Sequence, residues 1–270
     1  MQMRQSVKIG FIELRSNKLG SFLTMLGVIF GVAAVIASVA IGEGAKQQAM
    51  DQVSQLGITN IRIRPIELEG QELVTARQQN PRGLARSDLD AITANCPFVK
   101  RIAPVKQLSV KPYFHGAMIN ATVLAVTPEY RQTMNFHPAR GRFIAEMDNL
   151  HAQRICIIGA EIYQDVFGTE PWEKVQGKWL QLGDSMYVVS GVMEDKRLAS
   201  TQSSSVNIRN VNRDIYIPFS TAEKRFGDED EQHELSELIV QVGSRNEVKQ
   251  AAELIGKVLE RTHGGVADYE

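Results

Sequence analysis

The side chains that could perform chemistry are few and scattered along this 270-residue sequence. No carboxylate lies at a spacing from a histidine that suggests a metal site, so we interpret every histidine as a surface or loop residue. The histidines are His115, His137, His151, His233 and His263. The HExxH, CxxC, GxSxG and GxxxxGK[ST] patterns of metalloproteases, thiol sites, serine hydrolases and phosphate loops do not occur. The sequence therefore predicts no catalytic residue, no metal site and no cofactor, and the chain is not expected to be an enzyme.

The two cysteines leave two interpretations open. Cys96 and Cys156 could form a disulfide if the domain that contains them faces an oxidising compartment. Cys156, however, lies in the apolar run RICIIG, where a buried free thiol is the simpler expectation. The sequence favours free thiols without deciding whether the two residues pair.

One segment differs sharply from an overall composition of 43% hydrophobic and 23% charged residues. The 24 residues 19–42 read LGSFLTMLGVIFGVAAVIASVAIG and contain no charge. As an α-helix they would be about 36 Å long, enough to cross a hydrocarbon core of about 30 Å. Ser38 and Ala40 form a small-x-small pair of the kind that a signal peptidase recognises. The apolar run is nevertheless longer than that of a cleaved signal peptide, which has about 7–15 residues. We predict an uncleaved transmembrane helix over residues 19–42.

Small residues follow one face of this predicted helix. Gly27 and Gly31 form a GxxxG pair, and other small residues recur three or four positions apart. In lipid, helices associate where small residues let two backbones approach closely. Small residues are also common in any spanning helix, so chance is the competing explanation. The predicted helix-packing residues are Gly20, Thr24, Gly27, Gly31, Ala34, Ser38 and Gly42.

The charges around the apolar run indicate its orientation. Residues 1–18 carry four basic side chains against the single acidic Glu13, and basic flanks stay on the cytoplasmic side of a membrane. Apolar residues at helical spacing in the same segment predict a short amphipathic helix in the interface, over residues 1–18. We expect the N-terminus in the cytoplasm and the main domain outside it. The predicted cytoplasmic anchor residues are Arg4, Lys8, Arg15 and Lys18.

The remaining charge excludes one class of partner. The whole chain carries a net charge of -1 and residues 1–18 carry +3, which leaves -4 for residues 43–270. A surface that binds phosphate backbones is instead strongly basic. We therefore expect no nucleic acid partner.

The chain after the apolar run alternates between strand and helix patterns. Residues 43–57 keep helical spacing and predict a stalk helix, after which a βαβ-like arrangement opens the domain. We predict an α/β (α+β) core from residues 58–140 and 211–270, with a strand-rich inserted subdomain at 141–210. Ser87 and Ser220 are expected to cap helices, and Trp179 is expected in the core. The final helix, over residues 246–261, has no predicted strand after it.

Several segments, in order, resemble one family. They are NKLGSFLTMLGVIFGVAAVIASVAIGEGA (17–45), TNIRIRP (59–65), GRFIAEMD (141–148), ICIIGAEIYQDVFG (155–168), YVVSGVMED (187–195), DIYIPFSTAEKRF (214–226) and HGGVADY (263–269). Each is weak alone, but the ordered set is similar to MacB-type ABC transporter permeases over nearly the whole chain. The resemblance implies a first transmembrane helix followed by a periplasmic core domain, with a porter-like α/β part and a smaller strand-rich insertion.

The same resemblance implies a function. Such permeases are components of ABC-type export systems, in which ATPase-driven motion of the transmembrane helices is coupled to the outer domain. Three further transmembrane helices follow in the family, so this chain is expected to be truncated or split. The implied location is the cell inner (plasma) membrane. The implied partners are a cytoplasmic ABC ATPase that hydrolyses ATP, a second permease copy or homologous permease, the missing C-terminal transmembrane helices, a periplasmic adaptor protein and membrane lipid.

Two alternatives remain. The chain could be a single-span, membrane-anchored extracytoplasmic interaction module that acts alone. It could also be a permease-like activator of a cell-wall hydrolase, as in some members of the family.

Overall fold

A computed structural model describes residues 18–55, 59–66, 83–196, 210–227, 234–266 and 268–270. The chain divides into two compact units, Met1–Leu56 and Gly57–Glu270. The predicted amphipathic helix before Lys18 lies outside the described residues.

The described part of the first unit is one long helix. Helix α1 runs over Lys18–Gln55 and so covers the residues of both the predicted transmembrane helix and most of the predicted stalk. Its part Lys18–Gly44 contains an 18-residue stretch with a mean hydropathy of 2.4 and is long and apolar enough to cross a membrane. The large apolar side chains described on this part are exposed, as expected for a helix whose surroundings are lipid or other helices.

The second unit is built on one mixed sheet of eleven strands. The strands are β1 (Asn60–Ile63), β2 (Val99–Leu108), β3 (Pro112–Phe114), β4 (Ala117–Met118), β5 (Thr122–Val126), β6 (Pro138–Gly141), β7 (Ile155–Ile158), β8 (Trp179–Leu182), β9 (Ser185–Met193), β10 (Asp214–Pro218) and β11 (Glu237–Val242). Their order is β1-β11-β2-β5-β10-β7-β9-β8-β3-β4, and β6 pairs with β9. Strands β1 and β4 therefore lie at opposite ends of the strand order.

Seven α-helices are described in this unit. They are α2 (Arg86–Asn95), α3 (Glu129–Thr133), α4 (Glu146–Leu150), α5 (Ala160–Phe167), α6 (Trp172–Val175), α7 (Phe219–Phe226) and α8 (Val248–Thr262). Helices α2 and α8 contact each other and also contact β2 and β1, respectively. The predicted mixed α/β fold class, with one apolar helix before the domain, is confirmed.

Both faces of the sheet are buried at its centre. All five residues of β10 are buried, and its side chains alternate between two cores because successive strand residues point to opposite faces. Ile215 and Ile217 join the larger cluster. Tyr216 joins the smaller one, where its ring lies 5.5 Å from that of Tyr130.

The opening of the domain is a split βαβ unit. Strands β1 and β2 both pair antiparallel with β11, so they run parallel to each other with β11 between them. This agrees with the βαβ-like opening that the sequence predicts. The strand that separates β1 from β2 comes from residues 237–242, and strand periodicity alone does not specify that order.

Two predicted helix caps are wrong. Helix α2 begins before Ser87, and the Asp88 carboxylate accepts the Ala85 backbone N–H at 2.9 Å instead. An acidic residue in the first turn can satisfy an amide that has no partner within the helix. Helix α7 begins before Ser220, whose hydroxyl bonds to Asn149.

The division of the domain stays a prediction. Strands β7, β9 and β8, from the predicted insertion 141–210, are neighbours in the sheet. They lie between β10 and β3, which belong to the predicted core segments.

A substitution at Gly159, between β7 and α5, tests how closely this sheet is packed. A Cβ atom at Gly159 would lie 2.2 Å from the Asn212 carbonyl oxygen, so Gly159→Ala should destabilise the domain by about 1–3 kcal/mol. Gly256, inside α8, has no neighbour within 4 Å of the position that a Cβ would take. Gly256→Ala should therefore be neutral or stabilising by up to about 1 kcal/mol. Urea titration of the full chain in detergent micelles measures both; equal stability of the two variants would contradict the observed packing.

Candidate functional site

The small residues of α1 line an unoccupied surface of the helix. Gly20, Gly27, Gly31 and Gly42 have no neighbour within 4 Å of the position that a Cβ would take. The Thr24 hydroxyl bonds back to the Gly20 carbonyl at 3.0 Å. Their role in helix packing, with that of Ala34 and Ser38, stays a prediction.

Among the predicted anchor residues, Lys18 is the first residue of α1, whereas Arg4, Lys8 and Arg15 lie outside the described residues.

Strand β1 is held at the sheet edge by a charged cluster. Arg62 and Arg64 place their Nε atoms 2.9 and 3.0 Å from Oε1 of Glu237 on β11. The Glu237 side chain is only 6% exposed, whereas the arginines keep 41% and 49% exposure. A buried carboxylate between two guanidinium groups is stabilised by charge-assisted hydrogen bonds. The cluster therefore fixes the first strand after α1 to the sheet.

The backbone beyond β1 has a second partner. The Arg64 amide donates to the Glu270 carbonyl at 3.0 Å, and the Glu270 amide donates to the Arg64 carbonyl at 2.8 Å. The Ile66 amide donates to the Asp268 carbonyl at 2.9 Å, and Pro65 and Tyr269 form an isolated antiparallel bridge. The sequence predicts no strand after the last helix, and the described residues there form only this isolated bridge. Residues 268–270 pair with residues 64–66, which directly follow β1.

A buried histidine holds this C-terminal segment. His263 is 1% exposed, so its interpretation as a surface or loop residue is wrong. Its Nδ1 lies 2.5 Å from Oδ1 of Asp268, and its Nε2 lies 3.1 Å from Oδ2 of Asp88. Asp88 also accepts the Thr262 hydroxyl at 3.0 Å. Of the two carboxylates, only Asp268 is close to His263 in sequence, inside HGGVADY. Nothing in the sequence links these two residues to Asp88.

The two carboxylates determine how this cluster titrates. Burial lowers the pKa of His263, but the hydrogen bonds and charges of Asp88 and Asp268 outweigh burial and raise it above 6.5. Burial raises the pKa of Asp88, but hydrogen bonds from His263 and the Ala85 amide outweigh burial and bring it below 3.8. The cluster therefore favours a charged His263 beside a charged Asp88.

The other histidines are placed differently. His115, His137 and His151 are exposed, which agrees with their interpretation as surface or loop residues, and His233 lies outside the described residues. Within the described ranges there is no group of three or more His, Cys, Asp or Glu side chains that could hold a metal ion.

The cysteines are two separate buried thiols. Cys96 and Cys156 are both free in the structure. Burial raises the pKa of each thiol, so neither is activated as a nucleophile.

An open cleft lies at the opposite end of the strand order. Its volume is about 620 Å³, and its lining residues come mainly from β3, β8 and the adjoining turns. Trp179 is 53% exposed beside this cleft, so its predicted place in the core is wrong. Met118 on β4 and Met186 on β9 are 62% and 43% exposed. The Lys178 ammonium lies 5.8 Å from the Phe114 ring centroid. This edge presents aromatic and flexible apolar side chains that suit contact with another molecule.

The charged cluster at β1 makes a first prediction for this site. Glu237→Gln removes the charge between Arg62 and Arg64 and should lower the free energy of unfolding by about 1–2 kcal/mol. Glu223, which pairs with Arg86 on the surface, is the matched control, and Glu223→Gln should change it by less than about 0.5 kcal/mol. Urea unfolding in micelles measures both, and an unchanged midpoint for Glu237→Gln would show that the cluster does not fix β1.

The two tryptophans make a second prediction, because they occupy contrasting positions. Trp172 packs against the larger core, so Trp172→Ser should cost about 2 kcal/mol or more. Trp179→Ser should cost less than about 0.5 kcal/mol, because half of this side chain is already in solvent. Acrylamide quenching provides an independent readout: Trp179, alone in the Trp172→Ser variant, should be quenched strongly. Weak quenching there would place Trp179 in the core.

Known proteins similar to this chain are exporter components. Residues 21–258 match the family model described as the MacB-like periplasmic core domain. The pyoverdine export ATP-binding/permease protein PvdT of Pseudomonas savastanoi pv. phaseolicola is 30% identical over 272 residues, which cover 100% of this chain and 38% of PvdT. The macrolide export ATP-binding/permease protein MacB of Hahella chejuensis is 28% identical over 82% of this chain and 32% of MacB. The chain therefore spans less than two fifths of these relatives.

Two solved structures share the fold. The periplasmic region of MacB from Actinobacillus actinomycetemcomitans aligns with a TM-score of 0.61 and 15% identity, over 81% of this chain and 90% of that one. The extracellular domain of the noncanonic ABC-type transporter YknZ from Gram-positive bacteria aligns with a TM-score of 0.59 and 20% identity, over 78% and 98%. At these identities the likeness concerns the fold alone.

Proposed function

Because the chain belongs to the family of MacB-like periplasmic core domains, we propose that it is the permease component of an ABC-type export system. The similar PvdT and MacB proteins are named as export ATP-binding/permease proteins, which supports this role. In this proposal ATP hydrolysis is supplied by a cytoplasmic ABC ATPase, and the chain itself converts motion rather than catalysing a reaction.

The proposed topology follows from α1. Its apolar part, Lys18–Gly44, crosses the cell inner membrane with Lys18 at the cytoplasmic side. Residues 57–270 then form the extracytoplasmic, periplasmic domain. The family description and the basic residues before the span both support this orientation.

The observation that carries the proposed mechanism is the continuous sheet. Strand β1 is the first strand after α1 in the chain, and it is fixed to β11 by four residue pairs and by Glu237. From β11 the hydrogen-bonded order continues without a break to β4. A displacement of α1 driven by the ATPase would therefore pull on a sheet that ends at the open cleft, where a periplasmic adaptor would dock.

The small-residue face of α1 is proposed to contact the other helices of the permease, from a second copy, a homologous permease or further helices. Replacing Gly27 and Gly31 by Leu should abolish this packing, because the larger side chains hold the backbones apart. Val28→Leu with Val32→Leu is the matched control and should leave assembly intact. Cross-linking in native membranes measures assembly; equal cross-linking of both double variants would make the stripe incidental.

Copurification tests the proposed function as a whole. The tagged chain, extracted from its own host membranes into lipid nanodiscs, should bring with it an ABC ATPase, and its loss should abolish export of substrates such as siderophores or macrolides. Capture of a cell-wall hydrolase with the ATPase, without any export defect, would instead identify a hydrolase activator. Absence of any ATPase would leave a single-span interaction module and remove the export proposal.

A further inference from the structure

The environment of His263 favours a charged ring. Both ring nitrogens face a carboxylate oxygen, Nδ1 toward Asp268 and Nε2 toward Asp88. A neutral imidazole has one N–H donor and one lone pair, so one carboxylate would then face a lone pair. Only the imidazolium donates to both. Both ring nitrogens of His263 therefore donate a hydrogen bond only when the ring carries two protons.

The cluster joins three separate pieces of the domain. Asp88 lies in the first turn of α2, His263 follows the last turn of α8, and Asp268 lies in the C-terminal segment. The Asp268 side chain contacts His263 while its backbone carbonyl accepts the Ile66 amide. Asp268 thus connects the histidine directly to the backbone that follows β1.

We propose that Asp88, His263 and Asp268 form a proton-dependent latch that holds residues 268–270 against residues 64–66. With His263 protonated the latch is closed. Loss of one proton places a carboxylate against a nitrogen lone pair, and residues 268–270 are released from residues 64–66. The latch is a property of the domain itself and does not depend on the export proposal.

The groups around the ring come from every element that contacts it. Helix α2 contributes Asp88, and the C-terminal segment contributes Asp268 and Tyr269, whose ring lies 5.3 Å from that of His263 in an edge-to-face arrangement. Burial, Glu260 of α8 and the two aspartates all raise the pKa of Tyr269, so it remains a neutral phenol. The carboxylates of Asp88 and Asp268 both favour the protonated form of the histidine.

The direction of the pH dependence follows from linkage. Because the folded pKa of His263 is raised, its stabilisation is fully present below the ordinary value of 6.5 and is lost as pH rises through the folded pKa. Because the folded pKa of Asp88 is lowered, its stabilisation is present above the ordinary value of 3.8 and is lost as pH falls through the folded pKa. The latch is strongest between these two ordinary values and opens on the alkaline side.

Hydrogen exchange of the full chain in nanodiscs tests the latch directly. Protection of the paired amides in 64–66 and 268–270, corrected for the intrinsic pH dependence of exchange, should fall about tenfold or more as pH rises through the His263 midpoint. His263→Gln should remove this dependence and leave the segment weakly protected at every pH. His151→Gln alters an exposed histidine that contacts the Met147 carbonyl, and it should keep the wild-type profile.

The titration of the ring gives a second readout. In NMR spectra of histidine-labelled chain, His263 should titrate above pH 6.5 in the wild type and at lower pH in Asp268→Asn, which loses one carboxylate. The same variant should shift the protection midpoint to lower pH, so the test survives a misfolded His263→Gln. A wild-type His263 that titrates at or below 6.5, or a segment whose protection does not change with pH, would overturn the proposal.

Discussion

The domain depends on one buried strand, β10, through which the two sides of the sheet are joined. Its partner on one side is β5, in parallel register from Asp214↔Thr122 to Pro218↔Val126, and on the other side it is β7, antiparallel. Every residue of β10 is buried, so each backbone hydrogen bond is shielded from water and each side chain fills one of the two cores. Tyr216 packs with the aromatic rings of Phe136 and Phe143 on one face, while Ile215 and Ile217 pack on the other. A sheet packed in this way resists bending at its centre.

The two ends of the sheet carry different kinds of side chain. Both ends are connected through the tightly packed centre of the sheet. The β1 end is tied by ionic contacts: Glu237 lies between two arginines, and His263 lies between two aspartates. Such contacts hold a defined geometry and respond to the loss of a single charge. The β4 end carries Trp179, Met118 and Met186, whose exposed apolar surface suits a partner that binds and leaves. One end is therefore held by ionic contacts within the chain, and the other exposes large apolar side chains.

The sequence predicts what depends on local periodicity and misses what depends on distant contacts. The apolar run over residues 19–42, the buried strand at 214–218 and the turn at His115-Gly116 follow from hydrophobic spacing and turn residues. The burial of His263 does not follow from spacing, because its two partners lie five residues ahead and 175 residues back. The pairing of 64–66 with 268–270, and the cleft beside Trp179, likewise require strands that are remote in the chain to become neighbours. Small residues in α1 are visible in the sequence, but their role in helix packing stays a prediction.

The mechanism proposed for this chain requires that the sheet moves as one body when α1 is displaced. Double electron–electron resonance can test it with nitroxide pairs in the permease–ATPase complex, prepared without nucleotide and with ATP bound. One pair joins Lys100 on β2 to Met118 on β4, both exposed and on opposite sides of β10. The other joins Ile41 on α1 to Met118. We expect ATP to leave the Lys100–Met118 distance unchanged and to shift the Ile41–Met118 distance. A change within the sheet, or no change between the helix and the sheet edge, would contradict the mechanism.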